Sequence, residues 1–472
     1  MSRNLFRNLP MHPTTQYLPN RITRRTFLRR GSVATAALAA SCFTSNRLLR
    51  AAPDVIASPI GSQAKSRPDL VDDNSPPGLE VIQLTADPEV PSSHLYMEAQ
   101  IFAPDSKRFV LHRSATAHGG SRSDPKHQYL RCDLDDNGSL HPLTEELGAT
   151  AALVSPDGRL VYYFVDETTT GGGRLTLKRV GLDGTDRQTI LVVDSALPET
   201  NFRPSRLYPL STISSDGKRL AISAFLGDGQ SANGPYGLMI FDVQQATVRL
   251  VIHGPTWCNM HPQYCRSTDP EASHDVLIQE NHGCETDAAG GITKLVGGAG
   301  ADIHVIRDDG ENFRDMPWGR DGNEACQGHQ CWRGRTTWAV TSTGNRAARE
   351  AQLIEGRAAA HHDHAGLRTP GAVRNDLTRD FPSPHFYHFA TDIAGERLIS
   401  DAAPMDQGGQ IYIARFGEAG KDPLGQFVRL LNPKSTCRKH AHIHPFLSPD
   451  GATGFFNSDE SGVLQAYVVK GF

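Results

Sequence analysis

The sequence predicts an all-β protein: a seven-bladed β-propeller with four-stranded blades, closed by N- and C-terminal strands sharing one blade. Three observations predict it. A short turn followed by a β-rich run recurs seven times between Leu79 and Phe472. Gly (44) and Pro (30) are frequent enough to supply many turns between short strands. Long helical periodicity is nearly absent. The one stretch that reads as a helix is Arg346–Ala360, "RAAREAQLIEGRAAA", in a polar insertion over about 344–380.

The first 52 residues stand apart from that fold. They carry nine Arg, no Lys and no acidic side chain. Arg24 and Arg25 precede Phe27, Leu28 and an Ala-rich apolar run, the pattern of a twin-arginine export signal. The run is too short to span a membrane, so no transmembrane segment is expected in the mature protein. The expected destination is the periplasm, with Cys42 as a candidate lipid anchor. Residues 53–78 are rich in Pro, Ser and Asp and read as a disordered linker.

The repeats then follow in order. They begin at Ala103 ("APDSKRFVLH"), Ser155 ("SPDGRLVYYF"), Ser214 ("SSDGKRLAIS"), Tyr264, Cys331, Asp392 ("DIAGERLISD") and Ser448 ("SPDGATGFFNS"). The turn has a mechanism: Pro presets the first corner, Asp bonds back to the backbone, and Gly accepts positive φ. The runs after it are rich in Val, Ile, Phe and Tyr and read as strands. The copies lie roughly 50–60 residues apart, the length of a four-stranded blade with its loops. "LEVIQLT" (Leu79–Thr85) supplies the strand that completes the last blade beside "LQAYVVKGF". Closure of this kind removes free sheet edges.

Charge and cysteine set further bounds. Beyond residue 52 the chain has 39 basic and 52 acidic side chains, a net charge of −13. That argues against a nucleic-acid partner. A polyanionic substrate would need a local positive centre, such as a bound metal. The eight cysteines form no CxxC pair, which argues against a structural zinc site. An oxidising compartment permits disulfides, with Cys326–Cys331 and Cys265–Cys284 among the open pairings.

The histidines carry most of the chemistry. His261, His329, His388, His442 and His444 fall just before repeat turns. Equivalent positions of neighbouring blades converge on the central channel, so these imidazoles are expected to face one another. In "CRKHAHIHPFLSPDG" (Cys437–Gly451), His440, His442 and His444 alternate with Ala441 and Ile443. If that stretch is a strand, the three rings share one face. A set of imidazoles on one face, with another from the adjacent blade, suits a divalent metal with open positions. A neutral imidazole nearby suits a general base. His282 and His304 are candidate lining residues. "HHDH" (His361–His364) reads as a solvated loop.

The chain resembles the oligogalacturonate lyases of polysaccharide lyase family 22, which are seven-bladed propellers. The resemblance runs over roughly Leu79–Phe472. It is carried by "EVIQLTADPEV", "VIHGPTWCNMHPQY" (Val251–Tyr264), "GHQCW" (Gly328–Trp332), "FYHFATDIAGERLISD" (Phe386–Asp401) and "HIHPFLSPDG" with "FFNSDESGVLQAYVV". It implies a lyase that cleaves acidic, oligogalacturonide-like oligosaccharides by β-elimination with a divalent metal, Mn²⁺ being the usual one. It implies His388, His442 and His444 as metal ligands and His329 as the base. Two positions depart from the family pattern. Lys439 stands where the family has a glutamine ligand, with His440 as a candidate substitute. Asp302 stands where the family has an arginine. The competing reading is a non-catalytic exported propeller that binds or scaffolds.

Overall fold

The computed structural model describes residues 58–297, 300–318, 325–344, 352–358, 373–378 and 385–472. The N-terminal segment read as an export signal and "HHDH" lie outside the described residues.

Seven antiparallel sheets follow one another along the chain as the blades of a propeller. Blade 1 runs from Ser92–His94 through Arg108–Arg113 and Gln128–Asp133 to Ser139–Pro142. Blade 2 begins at Ala149–Val154, blade 3 at Ser211–Ile213, and blade 4 at Gln263–Tyr264. Blade 5 begins at Ala325–Trp332, blade 6 at Phe386–Thr391, and blade 7 at Phe446–Leu447. Helix among the described residues is confined to short 3-10 turns. No helix among them is long and apolar enough to cross a membrane.

The repeated turn joins the first strand of a blade to its second. In blade 2 the Ser155 hydroxyl donates to Asp157 Oδ1 at 2.6 Å, and the Gly158 N–H donates to the Ser155 carbonyl at 2.8 Å. Ser214 and Asp216 repeat the contact in blade 3, and Ser448 and Asp450 in blade 7. Gly158 holds φ 71°, which an L side chain rarely adopts. A Cβ there would also meet Pro104 Cδ at 2.4 Å, so the turn of one blade is wedged against its neighbour.

Closure is as the sequence predicts. Glu80–Gln83 pairs antiparallel with Gln465–Lys470, so the chain's start completes blade 7. Two further short strands lie in the segment read as a linker. Lys65–Ser66 adds to Glu80–Gln83 at the edge of blade 7, and Gly61–Ser62 pairs with Ser139–Pro142 at the edge of blade 1. Ordered backbone thus replaces the expected disorder, because these residues cover two sheet edges that would otherwise be bare. A second difference lies in the polar insertion. Gln352–Arg357 is the third strand of blade 5 and Val373–Asp376 the fourth. The helical reading of Arg346–Ala360 fails there because blade 5 needs those strands; Leu353 and Ile354 are fully buried in it.

Apolar side chains glue blade to blade. At the seam between blades 7 and 1, Phe109, Phe446 and Phe455 cluster, with the Phe446 and Phe455 rings stacked at 5.0 Å. Phe455 is fully buried, and its truncation to Ala would cost about 3–5 kcal/mol.

Candidate metal centre

The innermost strands bring the predicted histidines together. His329 lies in the first strand of blade 5, His388 in that of blade 6, and His442 and His444 just before that of blade 7. The His329 and His388 rings are 4.5 Å apart. His388 lies 5.0 Å from His442 and 4.4 Å from His444. Repeat-equivalent positions therefore converge as the spacing implied.

The local structure of the histidine row differs from the strand reading. Lys439–Ala441 is a 3-10 turn, and the strand starts only at Phe446. His444 holds φ 45°. His440 is exposed, and its carbonyl accepts the Ala117 N–H at 3.0 Å. It does not join the cluster, because the turn rotates it away from its two neighbours.

His118, a residue that repeat spacing does not single out, completes the group. It sits on a hairpin, Ala115–Thr116 paired with Gly119–Gly120, after the second strand of blade 1. One nitrogen from each of His118, His442 and His444 lies within 4.8 Å of the others, close enough to share an ion. The hairpin is tied to blade 7 through Ala117. Its carbonyl accepts a hydrogen bond from His444 Nδ1 at 3.2 Å. That bond puts the proton on Nδ1 and leaves the Nε2 lone pair free.

Orphaned nitrogens mark the site. His118 Nε2, His442 Nδ1 and His444 Nε2 are buried without a hydrogen-bond partner, as is His329 Nδ1. Buried polar atoms are rarely left so. Burial, reinforced by the neighbouring imidazoles, pushes His118 down to about 3 and His442 to about 4, and lowers His444 and His329 strongly. Neutral imidazoles are the form that binds a metal. The three nitrogens of His118, His442 and His444 fit a divalent cation.

His388 stands beside this group with a partner of its own. Its backbone N–H donates to Asp401 Oδ1 at 2.7 Å and its Nδ1 lies 2.8 Å from Asp401 Oδ2. This directs Nε2 away from Asp401 as the free nitrogen. Burial lowers His388 to about 3 and raises Asp401 to about 7. His261 has both ring nitrogens engaged. Nε2 is 2.8 Å from the Tyr208 hydroxyl and Nδ1 is 3.1 Å from Glu98 Oε2. It is a channel residue bound in a buried relay, not a free ligand.

The remaining candidates lie elsewhere. His282 Nε2 pairs with Asp302 Oδ2 at 2.9 Å in blade 4, and His304 pairs with Asp315 and Glu280. Lys439 is exposed at the rim of a cavity of ≈ 430 Å³ that His118 also lines. Among the described residues neither Cys326–Cys331 nor Cys265–Cys284 is joined as a disulfide.

A seven-bladed propeller with an imidazole cluster at the inner ends of its blades is thus the class of protein the fold and site define. Among solved structures, the chain is similar to an oligogalacturonate lyase in complex with manganese, at TM-score 0.63 and 18% identity, over 88% of this chain and 98% of that one. It is similar also to an oligogalacturonate lyase from Vibrio parahaemolyticus, at TM-score 0.62 and 16% identity, with the same coverage. No family model and no curated protein matches the chain. The likeness shows that the fold is that of the oligogalacturonate lyases.

Proposed function

We propose that the protein is a metal-dependent lyase that cleaves an acidic oligosaccharide, oligogalacturonide-like in chemistry, by β-elimination. The observation that carries this reading is the set of nitrogens from His118, His442 and His444 within 4.8 Å of one another, in a fold shared with a manganese-bearing lyase. His118, His442 and His444 would hold the cation, with His388 alongside. A bound cation would supply neutralisation of a uronate carboxylate and acidification of the adjacent C–H. Manganese is the ion to test first.

The chain's own residues do the rest. His329 is neutral and takes the proton from the carbon beside the carboxylate. Its buried, unpartnered Nδ1 has no competing bond to break. The electron pair of that C–H bond forms the double bond, and the C–O bond to the departing sugar breaks, its oxygen leaving as a hydroxyl with a proton from solvent. Asp401 keeps His388 in one tautomer throughout.

The test is a screen of polyuronides and oligouronides with and without Mn²⁺, followed by the ultraviolet absorbance of the unsaturated uronide. Product that depends on metal is the expected result. A protein that binds no divalent ion and forms no product would instead be the non-catalytic binding or scaffolding propeller, the reading that Lys439 in place of a glutamine favours.

We also infer export through the twin-arginine route to the periplasm, from Arg24, Arg25 and the apolar run after them. Fractionation of cells making the wild type and the Arg24→Lys/Arg25→Lys variant tests it. Unchanged export of the variant would refute it.

A further inference from the structure

The channel has a second mouth, at the end away from the imidazoles. His442 and His444 precede the first strand of blade 7, and the repeated turn follows that strand. In blade 6, Ile393 lies five positions beyond His388, about 16 Å of extended chain. A cavity of ≈ 170 Å³ opens among the repeated turns. Every blade lends it a residue, from Pro104 in blade 1 to Pro449 in blade 7. Phe102, Val154, Ile393 and Phe446 make much of its wall apolar, and among the described residues no Asp or Glu lines it.

Arg266 lines this mouth just after Gln263–Tyr264, and its guanidinium is unmatched. It makes no hydrogen bond and no ion pair with any described residue. Burial lowers its pKa from the usual arginine range. Glu98 acts on it through space but forms no ion pair, since Glu98 Oε2 is 3.1 Å from His261 Nδ1. The polar neighbours are engaged elsewhere. Gln100 bonds the backbone of Ile213 through both its amide atoms, and the Ser215 hydroxyl donates to the Ser267 carbonyl at 2.6 Å. A desolvated cation without a counter-charge is costly, and an anion from outside relieves it. Arg335 sets a second, exposed cation at the rim, its N–H donating to the Ile393 carbonyl at 3.0 Å.

We propose that this mouth binds a small carboxylate with an apolar body, one ring in size. Its carboxylate would sit on the Arg266 guanidinium and its ring against Phe102 and Phe446. The volume sets the size, because a cavity of about 150 Å³ holds one benzene ring. A sugar does not suit the wall, which is largely apolar and whose Gln100 and Ser215 are already engaged. The ligand is thus distinct from the acidic oligosaccharide, and the inference does not rest on the lyase reading.

Titration calorimetry of the full-length protein with benzoate, neutral benzamide and ringless acetate tests it, each run with Mn²⁺ and with EDTA. Benzoate should bind at one site in both conditions. It should bind at least about tenfold more tightly than benzamide, the scale of one hydrogen bond to a charged group. Acetate should bind more weakly than benzoate. Arg266→Gln should lose the preference for benzoate. Thr268→Glu, at an exposed position of the rim, should weaken benzoate through like charge and leaves the interior untouched. Where circular dichroism shows Arg266→Gln folded, that variant decides; where it is unfolded, Thr268→Glu decides. Benzoate binding unaltered in the deciding variant overturns the proposal, as does equal affinity of wild type for benzoate and benzamide. Benzoate binding that EDTA abolishes puts the anion on the imidazole centre and overturns it too.

Discussion

His388 and Asp401 are joined twice, through the backbone N–H at 2.7 Å and through ring Nδ1 at 2.8 Å. Both side chains are buried, so the ring has one orientation and one free nitrogen. Asp401→Asn would keep the size but lose the carboxylate. Such partners of metal-binding histidines are typically worth roughly 10–100-fold in affinity. The variant is expected to fold normally and bind Mn²⁺ more weakly in that range, as measured by calorimetry. Unchanged affinity would remove His388 from the metal's surroundings.

His118 and His440 give opposite expectations. His118→Ala should weaken Mn²⁺ binding by more than about 100-fold, beyond the effect of an indirect partner. His440→Ala should leave it unchanged, because His440 contributes only its carbonyl to the Ala117 N–H. Elemental analysis after dialysis separates the two. If the second variant loses metal and the first does not, the exposed ring must turn inward on binding.

His329→Ala should abolish unsaturated product while leaving metal content intact. Parallel loss of metal would reassign His329 from base to ligand.

Acid should destabilise the fold through histidines buried as neutral rings. His94 is the clearest, being outside the group of His118, His442 and His444. It is packed among Phe109, Phe446 and Phe455, and its Nε2 donates to the Tyr467 carbonyl at 2.9 Å. Burial lowers it to about 3, from the ordinary histidine value of about 6.5. Between those values the unfolded chain binds the proton and the folded one does not. The contribution is therefore fully present above the unfolded value and is lost as pH falls through that window. His94→Gln keeps the donor to Tyr467. It should reduce the slope of unfolding free energy against pH by about 1.4 kcal/mol per pH unit between pH 4 and 6. Denaturant titrations at several pH values check this, and an unaltered slope would place the proton uptake on other residues.

The blades were legible because each is announced by its own turn. Ser155, Asp157 and Gly158 make the bonds that such a turn requires, and the same bonds return in blades 3 and 7. His329, His388, His442 and His444 were legible because they share a place in the repeat. His118 lies on a hairpin outside the repeat, and only folding brings blade 1 against blade 7, so spacing could not reveal it. His440 misled because alternation suits a strand as well as a 3-10 turn followed by extended backbone. Gln352–Arg357 misled because its flanking alanines and charges favour helix locally, whereas the neighbouring strands of blade 5 supply hydrogen-bond partners that a helix there would waste.

The Ala117 carbonyl that orients His444 belongs to the first blade, and the ring it orients belongs to the last. The cluster therefore straddles the joint of a closed ring. Nearly the whole chain must be made before its two halves meet, and contacts so distant in sequence form late. A cation gripped by His118 on one side and by His442 and His444 on the other would act as a clasp. It would resist the parting of blades 1 and 7 much as the paired strand Glu80–Gln83 does on the outer rim. Ion capture would then double as a signal that the circle has shut.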